Sequence, residues 1–305
     1  RLTVTAEAAA DKVLTFEDLG AGNVDLYIDG SGDADDDHIT IDRASDGSSD
    51  SIDIFLTADD GENVFEGDIL VDDEETITFD TTLTEASSPV IINDLDAADA
   101  VTITFTNDDT WSAASIFDLE ANTIKTGATI DFSGYEQSIG NAVSLADVAG
   151  SDGQASSTGA VTDLATIMGT AGFTANATKS YTIKLGDGRK GGADDEQVID
   201  LGTSNTGADT IQFVNLASDT TNDLGVTVIH NFNDAAGAIV TNRSLLDLSA
   251  FSIEQVSDLT LTTAEANDGA DLTVITAADT DDFTGAITVL GVASTDWAAA
   301  DFVFA

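Results

Sequence analysis

Apolar and polar residues alternate in short runs along most of this chain. Lys12-Val13-Leu14-Thr15-Phe16, Val24-Asp25-Leu26-Tyr27-Ile28, Ile39-Thr40-Ile41, Ile52-Asp53-Ile54-Phe55 and Thr76-Ile77-Thr78-Phe79 repeat the pattern through the first half. A period of two buries one face of a β-strand, so each run predicts a strand. Leu14, Leu26, Ile39, Ile52, Phe65, Ile77, Ile91 and Ile103 mark a beat of twelve to fourteen residues. Gly, Asp, Asn and Ser fill the intervals as turn formers. The beat predicts a mainly β chain, either an elongated β-helix or β-solenoid, or a tandem β-sandwich with short connections.

The pattern pauses at Ser151-Asp152-Gly153-Gln154-Ala155-Ser156-Ser157-Thr158-Gly159, where small polar residues suggest a linker. The expected organisation is therefore an acidic β-rich domain over 1–150 and a second β-rich domain over 151–305. Beyond the linker, Leu164, Ile167 and Met168 sit at helical spacing with Asp163 near the start. That arrangement predicts one of a few short helices. Strand-like runs resume at Tyr181-Thr182-Ile183-Lys184-Leu185, Val198-Ile199-Asp200-Leu201, Leu272-Thr273-Val274-Ile275 and Ile287-Thr288-Val289-Leu290.

Charge narrows the possible partners. With 57 Asp and Glu against 9 Lys and Arg, the formal net charge is −48 on 305 residues. Such a surface repels nucleic acid and anionic membranes and attracts divalent cations. The apolar fraction of 42%, gathered in regular β-branched clusters, argues for a folded chain with a sizeable core. The absence of cysteine excludes disulfides, thiol catalysis and thiolate metal sites. No run reaches the roughly 18 apolar residues of a membrane helix, so a soluble chain without membrane insertion is expected. It begins at Arg1 with no charged-then-apolar leader, the expectation for a processed or partial product.

Calcium is the cofactor this composition suits, because Ca²⁺ takes six to eight hard oxygen ligands from carboxylates and carbonyls in flexible loops. Asp29-Gly30-Ser31-Gly32-Asp33-Ala34-Asp35 places oxygen-bearing side chains at alternate positions, making Asp29, Ser31, Asp33 and Asp35 candidate ligands. Asp59, Asp60 and Glu62 form a second acidic turn, and Asp72-Asp73-Glu74-Glu75 a third, with Asp72 and Asp73 as its candidate ligands. In the second half the candidates are Asp187, Asp194, Asp195 and Asp209. Adjacent carboxylates repel, and a bound dication relieves that repulsion while ordering the loop. One proline, Pro89, leaves Gly and Asp to make most turns, which favours metal-supported ones.

Four blocks near the C-terminus carry a resemblance. Val198-Ile199-Asp200-Leu201-Gly202 precedes Gly207-Ala208-Asp209-Thr210-Ile211, and Val228-Ile229-His230-Asn231-Phe232-Asn233 follows. Then come Leu246-Asp247-Leu248-Ser249-Ala250-Phe251, and finally Ile287-Thr288-Val289-Leu290-Gly291-Val292 with Trp297 and Asp301-Phe302-Val303-Phe304. From Val198 to Ala305 the chain resembles the C-terminal region of RTX-type proteins, including calcium-dependent surface-layer proteins exported through a type I channel. The resemblance implies type I secretion and an extracellular or cell-surface location. The tandem glycine-rich nonapeptides of that family are absent, so its calcium positions do not carry over.

Catalytic readings find little support. His38, within Asp35-Asp36-Asp37-His38, reads as part of a solvated turn, and His230 as structural. Neither lies in a zinc-protease helix or near a Gly-x-Ser-x-Gly elbow. Carboxylate pairs are too common to single out a glycosidase, and aromatic residues make up 6%. The expectation is a noncatalytic secreted protein that assembles with copies of itself into a surface layer, filament or matrix stabilised by calcium. The alternatives are an adhesin or carbohydrate-binding protein, with cell-surface polysaccharide as partner, and the C-terminal part of an exported hydrolase.

Overall fold

A computed structural model of the chain describes residues 2–6, 13–20, 22–30, 37–43, 49–57, 65–71, 74–80, 90–96, 100–106, 116–118, 126–134, 173–174, 180–185, 196–201, 206–214, 223–233, 243–265 and 271–305. The chain is mainly β, and its strands, numbered in chain order, fall into two sheets. The first sheet holds β1 (Leu2–Ala6), β3 (Asn23–Gly30), β5 (Ser51–Thr57), β7 (Thr76–Asp80), β9 (Thr102–Thr106), β11 (Thr129–Gly134), β13 (Thr182–Leu185), β15 (Thr210–Phe213), β17 (Leu245–Asp247) and β21 (Phe302–Val303), in that spatial order. The second holds β2 (Val13–Leu19), β4 (Asp37–Arg43), β6 (Phe65–Val71), β8 (Val90–Asp96), β10 (Ile116–Asp118), β12 (Phe173–Thr174), β14 (Glu196–Asp200) and β16 (Asp223–His230). It ends with β20 (Thr284–Leu290), β19 (Asp271–Ala277) and β18 (Leu259–Glu265).

Up to β17 successive strands alternate between the sheets, and each pairs in parallel with the strand two places away. The twelve-to-fourteen-residue beat is therefore the step from one sheet to the other: its eight anchors occupy the eight consecutive strands β2 to β9. Parallel pairing departs from the β-sandwich with short connections considered above, whose strands would run antiparallel. It follows from the constant beat, which returns each strand to its sheet in the same direction.

The pairing also explains why the same residue types recur. In the first sheet Ile52, Ile77, Ile103, Ile130, Ile183 and Ile211 sit side by side and lead to Leu246 and Phe302. All but Phe302 are fully buried, and Phe302 is nearly so. Strands about 4.8 Å apart bring like β-branched side chains into contact, so one solution serves level after level. Beside this row, Phe79, Phe105 and Phe132 stack with centroids 5.1 and 4.7 Å apart. The opposite, half-exposed face carries Thr76, Thr102, Thr129, Thr182 and Thr210 in register. Ile39, Ile41, Ile69, Val71, Ile199 and Ile229 of the second sheet share one core cluster with the first.

The strand pattern breaks at the C-terminal end. There β19 and β18 turn back on β20 as antiparallel strands, and Trp297, Phe232, Phe302 and Phe304 gather into one aromatic cluster. Two short 3-10 turns, Val256–Asp258 and Ala299–Asp301, are the helical elements among the described residues. The expected helix around Leu164 and the linker at 151–159 lie outside the described residues. On either side of that stretch, β10 pairs with β12 and β11 with β13. Among the described residues no helix is long and apolar enough to cross a membrane.

Candidate functional site

The strand alternation that fills the core also directs some charged groups inward. Asp50 stands two residues before Ile52, Glu75 two before Ile77, and Asp209 two before Ile211. Asp50 and Asp209 are buried at the corner where the chain enters the first sheet, and Glu75 is half-buried there beside the buried Glu74. Asp50 Oδ1 accepts the backbone N–H of Gly22 at 2.9 Å, and Glu75 Oε2 accepts that of Asp50 at 2.7 Å. Asp209 Oδ1 accepts that of Tyr181 at 2.9 Å. In each case a carboxylate reaches back one level and satisfies a corner donor, at sequence separations of 28, 25 and 28 residues. Gly22 makes its corner with φ +100, a conformation that disfavours any side chain.

Arg43 ties this corner together. Ile39, Ile41 and Arg43 alternate along β4, so Arg43 points inward at the strand end, where its side chain is fully buried beside that of Glu74. Its Nε and Nη2 donate to Glu74 Oε1 and Oε2 at 2.5 and 2.9 Å, a two-pronged pair. Nη2 also donates to Ser51 O at 2.9 Å, and Nη1 donates to Gly20 O. Burial holds the Glu74 carboxyl above its ordinary range, and the charges of Asp50 and Glu75 push the same way against the pull of Arg43. Burial, with the Asp209 carboxylate adding to it, likewise raises the Tyr181 hydroxyl.

On the outer face of the first sheet, acidic residues find partners along the ladder. Asn23 Nδ2 bridges Asp25 and Asp53 at 3.3 and 3.1 Å, and Lys184 Nζ meets Asp131 Oδ2 at 3.2 Å. Gln212 Nε2 donates to Asp247 Oδ2 at 2.8 Å. At the C-terminal end, burial raises the Asp282 carboxyl, with Asp279, Asp258 and Asp281 adding to the shift.

Of the predicted calcium ligands, Asp209 is fully buried in the corner row. Asp29 lies in β3, its backbone in register with Thr5 and Thr57. Ser31, Asp33, Asp35, Asp59, Asp60, Glu62, Asp72, Asp73, Asp187, Asp194 and Asp195 lie outside the described residues. Among the described residues no group of three or more His, Asp or Glu side chains stands ready to hold a metal ion. His38 corrects an expectation: it occupies β4 rather than a turn, because the run leading to Ile39 is already extended and in register with Val13 and Asp68. His230 is buried at the end of β16.

Sequence reasoning passed over Arg43 and Asp50, and placed Glu74 and Glu75 in an acidic calcium turn rather than in a corner with Arg43. For Arg43 and Asp50 the available signal was phase, since each keeps the inward period of its neighbouring isoleucines, whereas the buried Glu74 falls out of that period. No protein-family model, curated protein or solved structure matches this chain.

Proposed function

We propose that this chain is a noncatalytic, secreted structural protein that assembles with copies of itself into a surface layer, filament or extracellular matrix, with calcium stabilising its acidic turns. The finer reading of its fold is a two-sheet β-solenoid, each turn of which contributes one strand to each sheet. The observation that carries the proposal is the parallel ladder itself: level after level reuses the same isoleucine, phenylalanine and threonine rows. Repetition of this kind makes a stiff scaffold with regularly spaced surfaces. The described carboxylates fit that role, because they serve backbone corners and ladder neighbours.

Net charge supplies the reason for calcium. Copies carrying a formal −48 repel one another, and divalent ions both screen and bridge such surfaces. The resemblance of the region from Val198 to RTX-type C-terminal regions supports type I export and a cell-surface or matrix location. Negative-stain images of the purified chain test the assembly. Ordered sheets or fibres in calcium that disperse on chelation support it. Dispersed monomers that bind polysaccharide on a glycan array would replace it with an adhesin.

A further inference from the structure

The corner built by Arg43, Asp50, Glu74 and Glu75 holds more negative charge than its contacts neutralise. Glu74 is spent on Arg43, which occupies both of its oxygens. Glu75 gives Oε2 to the backbone N–H of Asp50, and Asp50 gives Oδ1 to Gly22. Asp50 Oδ2 is left over: the residue is 4% exposed and this oxygen has no hydrogen-bond partner. An ionised carboxylate only accepts, so the orphan oxygen needs a donor or a cation. One guanidinium faces three carboxylates here, and with all three ionised the excess equals the charge of one divalent ion.

We propose that this corner binds one calcium ion, with Asp50 Oδ2 as the inner ligand and Glu75 Oε1 as the second carboxylate ligand. The site rests on the calcium reading above and gives it a location. Two carboxylates are used because Glu74 is turned into Arg43, in keeping with the lack of a ready three-carboxylate group. Backbone carbonyls and water complete the shell, which calcium accepts because its coordination is irregular and flexible. The ion bridges consecutive levels, since Asp50 and Glu75 hold equivalent positions before β5 and β7.

Asp50→Asn is the decisive variant. It keeps the Oδ1 acceptor for Gly22 and replaces the orphan oxygen with an amide, so a purely corner-capping role survives the change. Calcium titration by calorimetry should show one ion fewer per chain in Asp50→Asn than in the wild type. Glu75→Gln should weaken the same ion about tenfold, and it provides the reading if Asp50→Asn fails to fold by circular dichroism. Unchanged stoichiometry and affinity in a folded variant would overturn the site while leaving calcium binding elsewhere intact. A wild-type chain that binds no calcium would overturn both the site and the calcium reading beneath it.

Discussion

The repeating levels from β3 to β15 and the closing region from β16 to β21 solve the same burial problem in different ways. In the repeating part each strand meets near-copies of itself, and inward residues alternate strictly with half-exposed ones, as in β7 and β9. In the closing region both faces of a strand are buried: Leu272, Thr273, Val274 and Ile275 of β19 are all buried, as are Ala286 to Val289 of β20. Some buried polar groups there are satisfied one by one, whereas the Thr227 and Thr288 hydroxyls have no hydrogen-bond partner. Trp297 Nε1 donates to Thr273 Oγ1 at 3.0 Å, and Asp301 Oδ2 accepts the N–H of Ala298 at 2.6 Å. A repeating stack derives stability from nearest neighbours, whereas its end needs a distinct closing structure because it has no next level to pair with.

That contrast is most severely tested in the phenylalanine row. Phe105→Ala removes the middle ring of three and should cost about 3–5 kcal/mol in urea unfolding. Amide exchange should accelerate in β7, β9 and β11 and leave β18 to β20 protected. Equal acceleration throughout would show that the two regions unfold as one unit.

A smaller loss is expected at the buried ion pair. Glu74→Ala strands the Arg43 guanidinium and should cost roughly 3 kcal/mol. Because burial raises the Glu74 carboxyl, its contribution is complete below the unfolded value of about 4.3 and declines as pH rises through the folded value. The penalty of the substitution should therefore be greater in acid than at neutral pH. Urea unfolding at both pH values checks the sign, and a penalty that vanishes in acid would contradict it. Smallest of all, Lys184→Ala removes a partly exposed pair and should change stability by no more than about 0.5 kcal/mol.

The two regions also differed in how far they could be read beforehand. Strands of the repeating part were legible because Ile52, Ile77 and Ile103 keep both their local period of two and their longer beat. What alternation cannot express is pairing: Ile52 and Ile77 could have been neighbours across a hairpin or within a parallel level, and the local pattern is the same for both. In the closing region, β19 and β20 were recognisable as strands, while their antiparallel pairing depends on β16 meeting β20 far along the chain. The acidic residues misled in a different way. Composition assigns Glu75 to an acidic calcium turn and gives Asp50 no role, yet both carboxylates accept backbone N–H groups at the corner, and composition does not carry that placement.

The thermal unfolding midpoint in calcium and after chelation most directly tests the central claim that calcium holds this acidic stack together. Saturation of even one site should raise the midpoint by about 5 °C or more at low ionic strength, with ordered assemblies lost from light scattering when the ion is removed. An identical midpoint and unchanged scattering with and without calcium would contradict the account.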